Sequence, residues 1–460
     1  MAFAPPVLLL AALRAAPRRY RLPALPGDAE VAAALGAETA LAFAMEAARA
    51  ARQHHSPPPD GARALFTASL AGLIRRALAA DGGDPGFQAL LLQAQDGPVR
   101  EHVQLSAQRA ADRRAVRSAI DALAHPGKLR GAPAGPPREA LGQLHRLASA
   151  GSWPQLGSAV ERLLRQQSAG DETMRAGLAA IAAMPALQRL VRGGALLGDQ
   201  AVQRYVALRE RHGPAAGSAA AAARGRAAAR LGALAEDETV QALREIAALL
   251  DRHDRLEGRH RIARSLRPPR GFPGQAGKAK DEWDAAIVRT TATGAADVVL
   301  LAEVKAAPAA ATPDFSRLHR GLQRLAHASA GQAYDFASAD GPLRVSGESL
   351  RGLQPPGRCL PAHVIYCCTA PPEAQPQMLS AASKAALLAE SACLAFARQL
   401  AAGASPPASE LAPVWEALAA PRLRSALHQY ETAQAAREAM LHPHDLLAAV
   451  ARQLQAGPHP

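Results

Sequence analysis

The sequence predicts a helical N-terminal region followed by an α/β domain with a small mixed sheet flanked by helices. Three observations carry that prediction. Alanine, leucine and arginine dominate the 460 residues while aromatics make up only 3%, which favours helix over strand. The pattern changes after an alanine-rich stretch at 213–232, from helical periodicity alone to helices mixed with short β-type runs. The run ADVVLLAEVKA (296–306) has the length and continuous apolarity of a strand buried on both faces.

The length suits about two to four domains, and the order of elements gives four segments. Residues 1–212 read as helices separated by Pro/Gly loops, among them 30–53 and 62–81. Residues 213–236 read as an Ala/Gly-rich linker or a plain helix. Residues 237–400 carry the sheet. The order expected there is a helix over 237–266, strands over 282–290 and 296–306, a helix capped by Thr312 with Pro313 at its first turn, strands over 342–347 and 362–370, then a helix. Residues 401–460 read as C-terminal helices packing on that domain.

The chain avoids lysine. Of its 53 basic residues only Lys128, Lys278, Lys280, Lys305 and Lys384 are lysines, the bias that GC-rich bacterial coding produces. Lys305 is unusual because it follows Glu303 by two residues at the end of the apolar run. Alternation puts Val299, Leu301, Glu303 and Lys305 on one face and Val298, Leu300, Ala302 and Val304 on the other. If the two strands form a hairpin turning between Thr293 and Gly294, Asp284 stands opposite Glu303. Two carboxylates on adjacent strands suit a hard divalent cation, Mg²⁺ or Mn²⁺. A nearby lysine can steady phosphoryl charge or serve the attacking water, and arginine substitutes poorly because it scarcely deprotonates.

Asp284, with Glu303-Val304-Lys305 following across a hairpin preceded by a helix, resembles the PD-(D/E)XK nuclease superfamily and its restriction-endonuclease-like fold. The resemblance covers about residues 237–400. It implies that Asp284 and Glu303 bind the metal, that Val304 adds its carbonyl oxygen, and that Lys305 serves the water. It also implies a further acid on the preceding helix. Glu257 is the candidate, on a stripe through Val240, Leu243, Ala247 and Leu250, with Glu245 the weaker choice. Trp283 stands where relatives carry proline and reads as a core or lid residue.

The net charge of +13 favours a polyanionic partner. Seven arginines lie between 252 and 270 and lead into a loop with two lysines. Arg259, Arg261, Arg264, Arg267, Arg270, Lys278 and Lys280 are therefore the expected nucleic-acid contacts, with DNA favoured. The four cysteines form no CxxC motif and read as reduced, buried thiols of a cytoplasmic protein. No apolar stretch suits a membrane span. The function expected is metal-dependent phosphodiester hydrolysis in DNA repair, defence or recombination. Its rivals are a catalytically inactive nucleic-acid-binding protein, another DNA-repair enzyme such as a base-excision glycosylase, and a helical interaction scaffold.

Overall fold

The computed structural model describes residues 3–131, 135–166, 172–214, 216–255 and 258–456. The chain divides into two units. Residues 1–73, 219–387 and 408–460 form one, and 74–218 with 388–407 form the other. The expected single region 1–212 is thus split, because its first helices join the sheet unit.

That unit holds a seven-stranded mixed sheet. Its strands are β1 (His260–Leu266), β2 (Trp283–Thr290), β3 (Ala296–Lys305), β4 (Ala333–Phe336), β5 (Leu343–Ser346), β6 (Val364–Cys368) and β7 (Met440–Leu441). β1, β2 and β3 form an antiparallel meander. The far edge of β3 pairs in parallel with β6 along 301–305 and with β5 at Ala296. β4 extends β5, and β7 extends β6. The five helices that matter here are α1 (Val7–Ala15), α2 (Ala219–Asp254), α3 (Ala311–Leu325), α4 (Gln429–Glu438) and α5 (Pro443–Ala456).

Both sheet faces are covered, which explains the unbroken apolar run in β3. On one face Leu9, Leu13, Leu243, Leu250 and Val450 of α1, α2 and α5 pack on Ile287, Leu300 and Ala302. On the other, Phe315, Leu318 and Leu322 of α3 pack with Trp283 and Phe336 on Ala286, Val298 and Leu301.

The structure departs from the sequence reading at several points. The helix expected over 237–266 is two elements. α2 ends at Asp254, Arg255 takes a left-handed φ of 52°, and the chain resumes as β1. The stretch 213–236, by its sequence a linker or a plain helix, is helix from Ala219 onward. The helix expected over 312–338 ends at Leu325, and residues 333–336 form β4 against β5. Thr312 is not a cap; a 3₁₀ turn at Pro308–Ala310 leads into α3 at Ala311. The strict alternation expected in β3 is broken by a bulge, where the pairing shifts between Ile287 and Val288. Val299 and Leu300 therefore both belong to the α2 side, while Val298 and Leu301 share the other. Cys367, Cys368 and Cys393 are buried free thiols, but Cys359 is exposed.

The other unit is helical. Val116, Ile120, Leu144, Trp153, Leu156 and Leu187 centre a core of this unit, and Arg189 holds the buried Asp112 carboxylate bidentately at 2.6 and 3.0 Å.

Candidate active site

The β2–β3 hairpin fixes the central pair. Its turn closes with Thr291 N–H donating to Ala295 O (2.7 Å), and Gly294 supplies the left-handed φ of 79°. Ala285 then pairs with Ala302 and Ala286 with Leu301, so one step further the register sets Asp284 opposite Glu303. Asp284 Oδ2 accepts a hydrogen bond from Val304 N–H at 2.7 Å, which ties the carboxylate to the end of β3.

Glu303 and Lys305 emerge on the α3 side of the sheet, beside Tyr366 of the parallel strand β6. Lys305 Nζ lies 3.3 Å from Glu303 Oε2 and 3.2 Å from Asp314 Oδ2 on α3. It also stands 5.7 Å from the centre of the Tyr366 ring, whose hydroxyl donates to Asp314 Oδ2 at 3.4 Å. Lys280, from the β1–β2 connection, binds Glu303 Oε2 and approaches Asp314 Oδ2 at 3.7 Å. The site is thus Asp284, Glu303, Asp314 and two lysines.

Glu303 is fully buried. Burial pushes its carboxyl up to about 8; Asp284 adds to the rise, and Lys280 and Lys305 pull against it. Burial alone would depress Lys305, but Glu303, Asp314 and Asp284 outweigh it and hold the ammonium above its ordinary value. Lys305 is therefore a stable cation. Tyr366 is pushed up by burial and by Asp314 and Glu303, so it remains a neutral phenol.

Glu236 is an acid of α2 that bears on the pair. Glu257 lies outside the described residues. Glu245 is exposed and accepts from Gln241 on its own helix at 3.2 Å. Glu236, on α2, is raised by burial and then by the neighbouring charge of Asp284, with Lys305 opposing. A signal for it existed. The stripe Val240, Leu243, Ala247, Leu250 continued four residues backward reaches Glu236, as continued forward it reaches Glu257. Asp314, in the first turn of α3, had no such signal.

The expected basic patch is largely engaged within the fold. Arg264 forks onto Asp340 at 2.8 and 3.0 Å. Arg267 pairs with Glu282 at 2.8 Å, and Arg259 Nε–H donates to Thr290 O at 2.9 Å. Arg261, Arg270 and Lys278 are exposed. Lys280 turns into the acid cluster. The arginines do not share a helix face, because β1 replaces the helix that was to carry them. Trp283 is 1% exposed and packs in the core, out of reach of a base.

The donor set suits a hard cation in part. Glu303 Oε1 is buried without a hydrogen-bond partner, next to a second carboxylate. Among the described residues no group of three or more His, Cys, Asp or Glu side chains is arranged to hold a metal. Mg²⁺, however, keeps several waters and needs only one or two carboxylates plus substrate oxygens. Among the described residues, no helix is long and apolar enough to cross a membrane. Family models, curated proteins and solved structures yield no match to this chain.

Proposed function

We propose that the protein is a metal-dependent nuclease of the PD-(D/E)XK type, with a restriction-endonuclease-like sheet unit acting on phosphodiester bonds, DNA favoured. One observation carries the reading. Asp284 and the Glu303–Lys305 pair meet at the end of a hairpin, flanked by a helix acid, Glu236, within the order helix, three antiparallel strands, helix, the β4–β5 pair and then the parallel strand β6.

Asp284, Glu303 and the Val304 carbonyl would hold Mg²⁺ or Mn²⁺, with Glu236 as an outer acid. Such an ion, when bound, polarises a phosphoryl oxygen and makes a bound water more acidic. The chain's own groups do the rest. Asp314 and Glu303 orient the Lys305 ammonium from two sides. A lysine held protonated is poorly suited to take a proton from water, so its work is to donate to the attacking water and to the phosphate as negative charge grows. Tyr366 fixes Asp314 and closes the apolar side of the site.

The inactive-binder reading has one observation in its favour: both lysines sit on one oxygen, Oε2, of the carboxylate that would have to serve a metal. The glycosylase reading has less support. A cavity of about 470 Å³ in the helical unit is lined by Arg75, Gln88, Gln95, Arg204 and apolar side chains, with no carboxylate to do acid catalysis. The deciding experiment is cleavage of single- and double-stranded DNA and RNA with Mg²⁺ or Mn²⁺, by wild type, Asp284→Ala and Lys305→Ala. Activity in wild type alone supports the proposal. Equal activity in all three refutes it.

A further inference from the structure

Lys280 was expected to meet nucleic acid, and its position in the fold gives it another task. Its backbone is built into the unit. Lys280 N–H donates to Arg317 O on α3 at 3.1 Å. Its carbonyl oxygen and Cβ pass so close to Gly321 that an added Cβ there would sit 2.8 and 3.1 Å from them. From this anchor the side chain, 13% exposed, reaches Glu303 Oε2 and approaches Asp314 Oδ2. Lys305 uses the same two oxygens. Two ammonium groups therefore crowd onto one pair of carboxylate oxygens, although either alone would neutralise Glu303. Meanwhile Glu303 Oε1 is left without a partner. Like charges so close repel, and the arrangement persists because Asp284 and Asp314 supply negative charge beside Glu303.

We infer that Lys280 is an internal cation that competes with a divalent metal for the Glu303 carboxylate, and so sets how tightly the site binds metal. The inference rests on the reading of Asp284 and Glu303 as metal ligands. A divalent ion on Glu303 would repel the Lys280 ammonium from the same carboxylate, and its four-carbon stem lets it swing away while the backbone stays anchored. Lys305, held also by Asp314 and Tyr366, remains. Lys280 is thus a positioning residue that touches a ligand and not the reacting atoms.

Titration calorimetry of the full chain with Mn²⁺ and with Mg²⁺ tests this directly. Lys280→Met removes the charge and keeps the length, and the dissociation constant should fall at least tenfold. An unchanged or weaker constant overturns the inference. Lys280→Gln, which keeps a donor for Glu303, is measured in parallel and should also bind more tightly if Lys280→Met does not fold. In wild type, amine acetylation at Lys280 should rise when metal is saturating, while Lys384, paired with Glu38 at 3.0 Å, serves as the unchanged reference. Lys280 acetylation that ignores metal also overturns it. The nuclease reading can fail separately. Tighter metal binding by Lys280→Met with no nucleic-acid cleavage by any form upholds the inference and removes the nuclease. Cleavage by wild type with no change of metal affinity in Lys280→Met does the reverse.

Discussion

Gly321 should respond to alanine in the opposite sense from an exposed helix glycine, and the structure supplies the reason. A Cβ at Gly321 would lie 2.8 Å from Lys280 O, 3.1 Å from Lys280 Cβ and 3.2 Å from Trp283 Cζ2. The first is backbone, and the last belongs to a fully buried side chain, so neither neighbour gives way easily. Forcing a methyl into such a place costs about 1–3 kcal/mol. Alanine in a helix returns about 1 kcal/mol over glycine. The net effect of Gly321→Ala is a loss of about 1 kcal/mol, concentrated where the 267–282 connection crosses α3. Gly232, in the exposed half of α2, has nothing within 4 Å of an added Cβ. Gly232→Ala should stabilise its helix by about 1 kcal/mol. Hydrogen exchange read by mass spectrometry on peptides covering 276–290, 311–325 and 225–240 measures both effects without treating a two-unit chain as one cooperative transition. Faster exchange at 276–290 for Gly321→Ala, with slower exchange at 225–240 for Gly232→Ala, is the expected pair. Equal or more protection at 276–290 in Gly321→Ala would refute the claim that the glycine seats Lys280.

Three further outcomes follow from the same geometry. Glu303, raised to about 8 mainly by burial, is protonated in the folded, metal-free state between its unfolded value, about 4.3, and 8. Its contribution to stability is complete below that window and lost as pH rises through 8, whereas metal needs the carboxylate; Mn²⁺ affinity should therefore climb from pH 6 to 8.5, and a flat calorimetric profile would contradict this. Glu236→Gln removes a charge that repels Asp284 and should lower the rate of any cleavage tenfold or more while leaving melting temperature within a few degrees; an unchanged rate would remove Glu236 from the site. His363 is buried and, by burial, lowered to about 4, so its charging opposes folding between pH 6.5 and 4; acid unfolding should move to lower pH in His363→Phe, worth up to about 3 kcal/mol at pH 4, and an unchanged acid midpoint would refute that.

How much was legible in the sequence depended on how local each cause is. The strands expected near 282–290, 296–306 and 362–370 exist, because their apolar runs are mostly buried on both faces and advertise it, and the short, half-exposed strand near 342–347 exists as well. The opposition of Asp284 and Glu303 was legible too, since a short turn at Gly294 leaves few registers. β1 was hidden because HRIARSL is half polar, and its partner β2 lies outside any local window. Because β1 stands where the helix was expected to continue, the arginines of 259–270 spread over a strand and a loop. Asp314 and Tyr366 reach Lys305 only through tertiary packing of α3 and β6, which no spacing in the chain encodes. Lys280 was read by its charge as a surface contact, although the glycine that seats it lies 41 residues away at Gly321.

The measurement that bears most directly on the central claim is nicking of supercoiled plasmid by the purified full chain in Mg²⁺ and then in excess chelator, with Asp284→Ala and Lys305→Ala alongside. The account predicts nicking that chelator stops and that both substitutions reduce by several orders of magnitude. Nicking that persists in chelator, or that survives both substitutions undiminished, would contradict it.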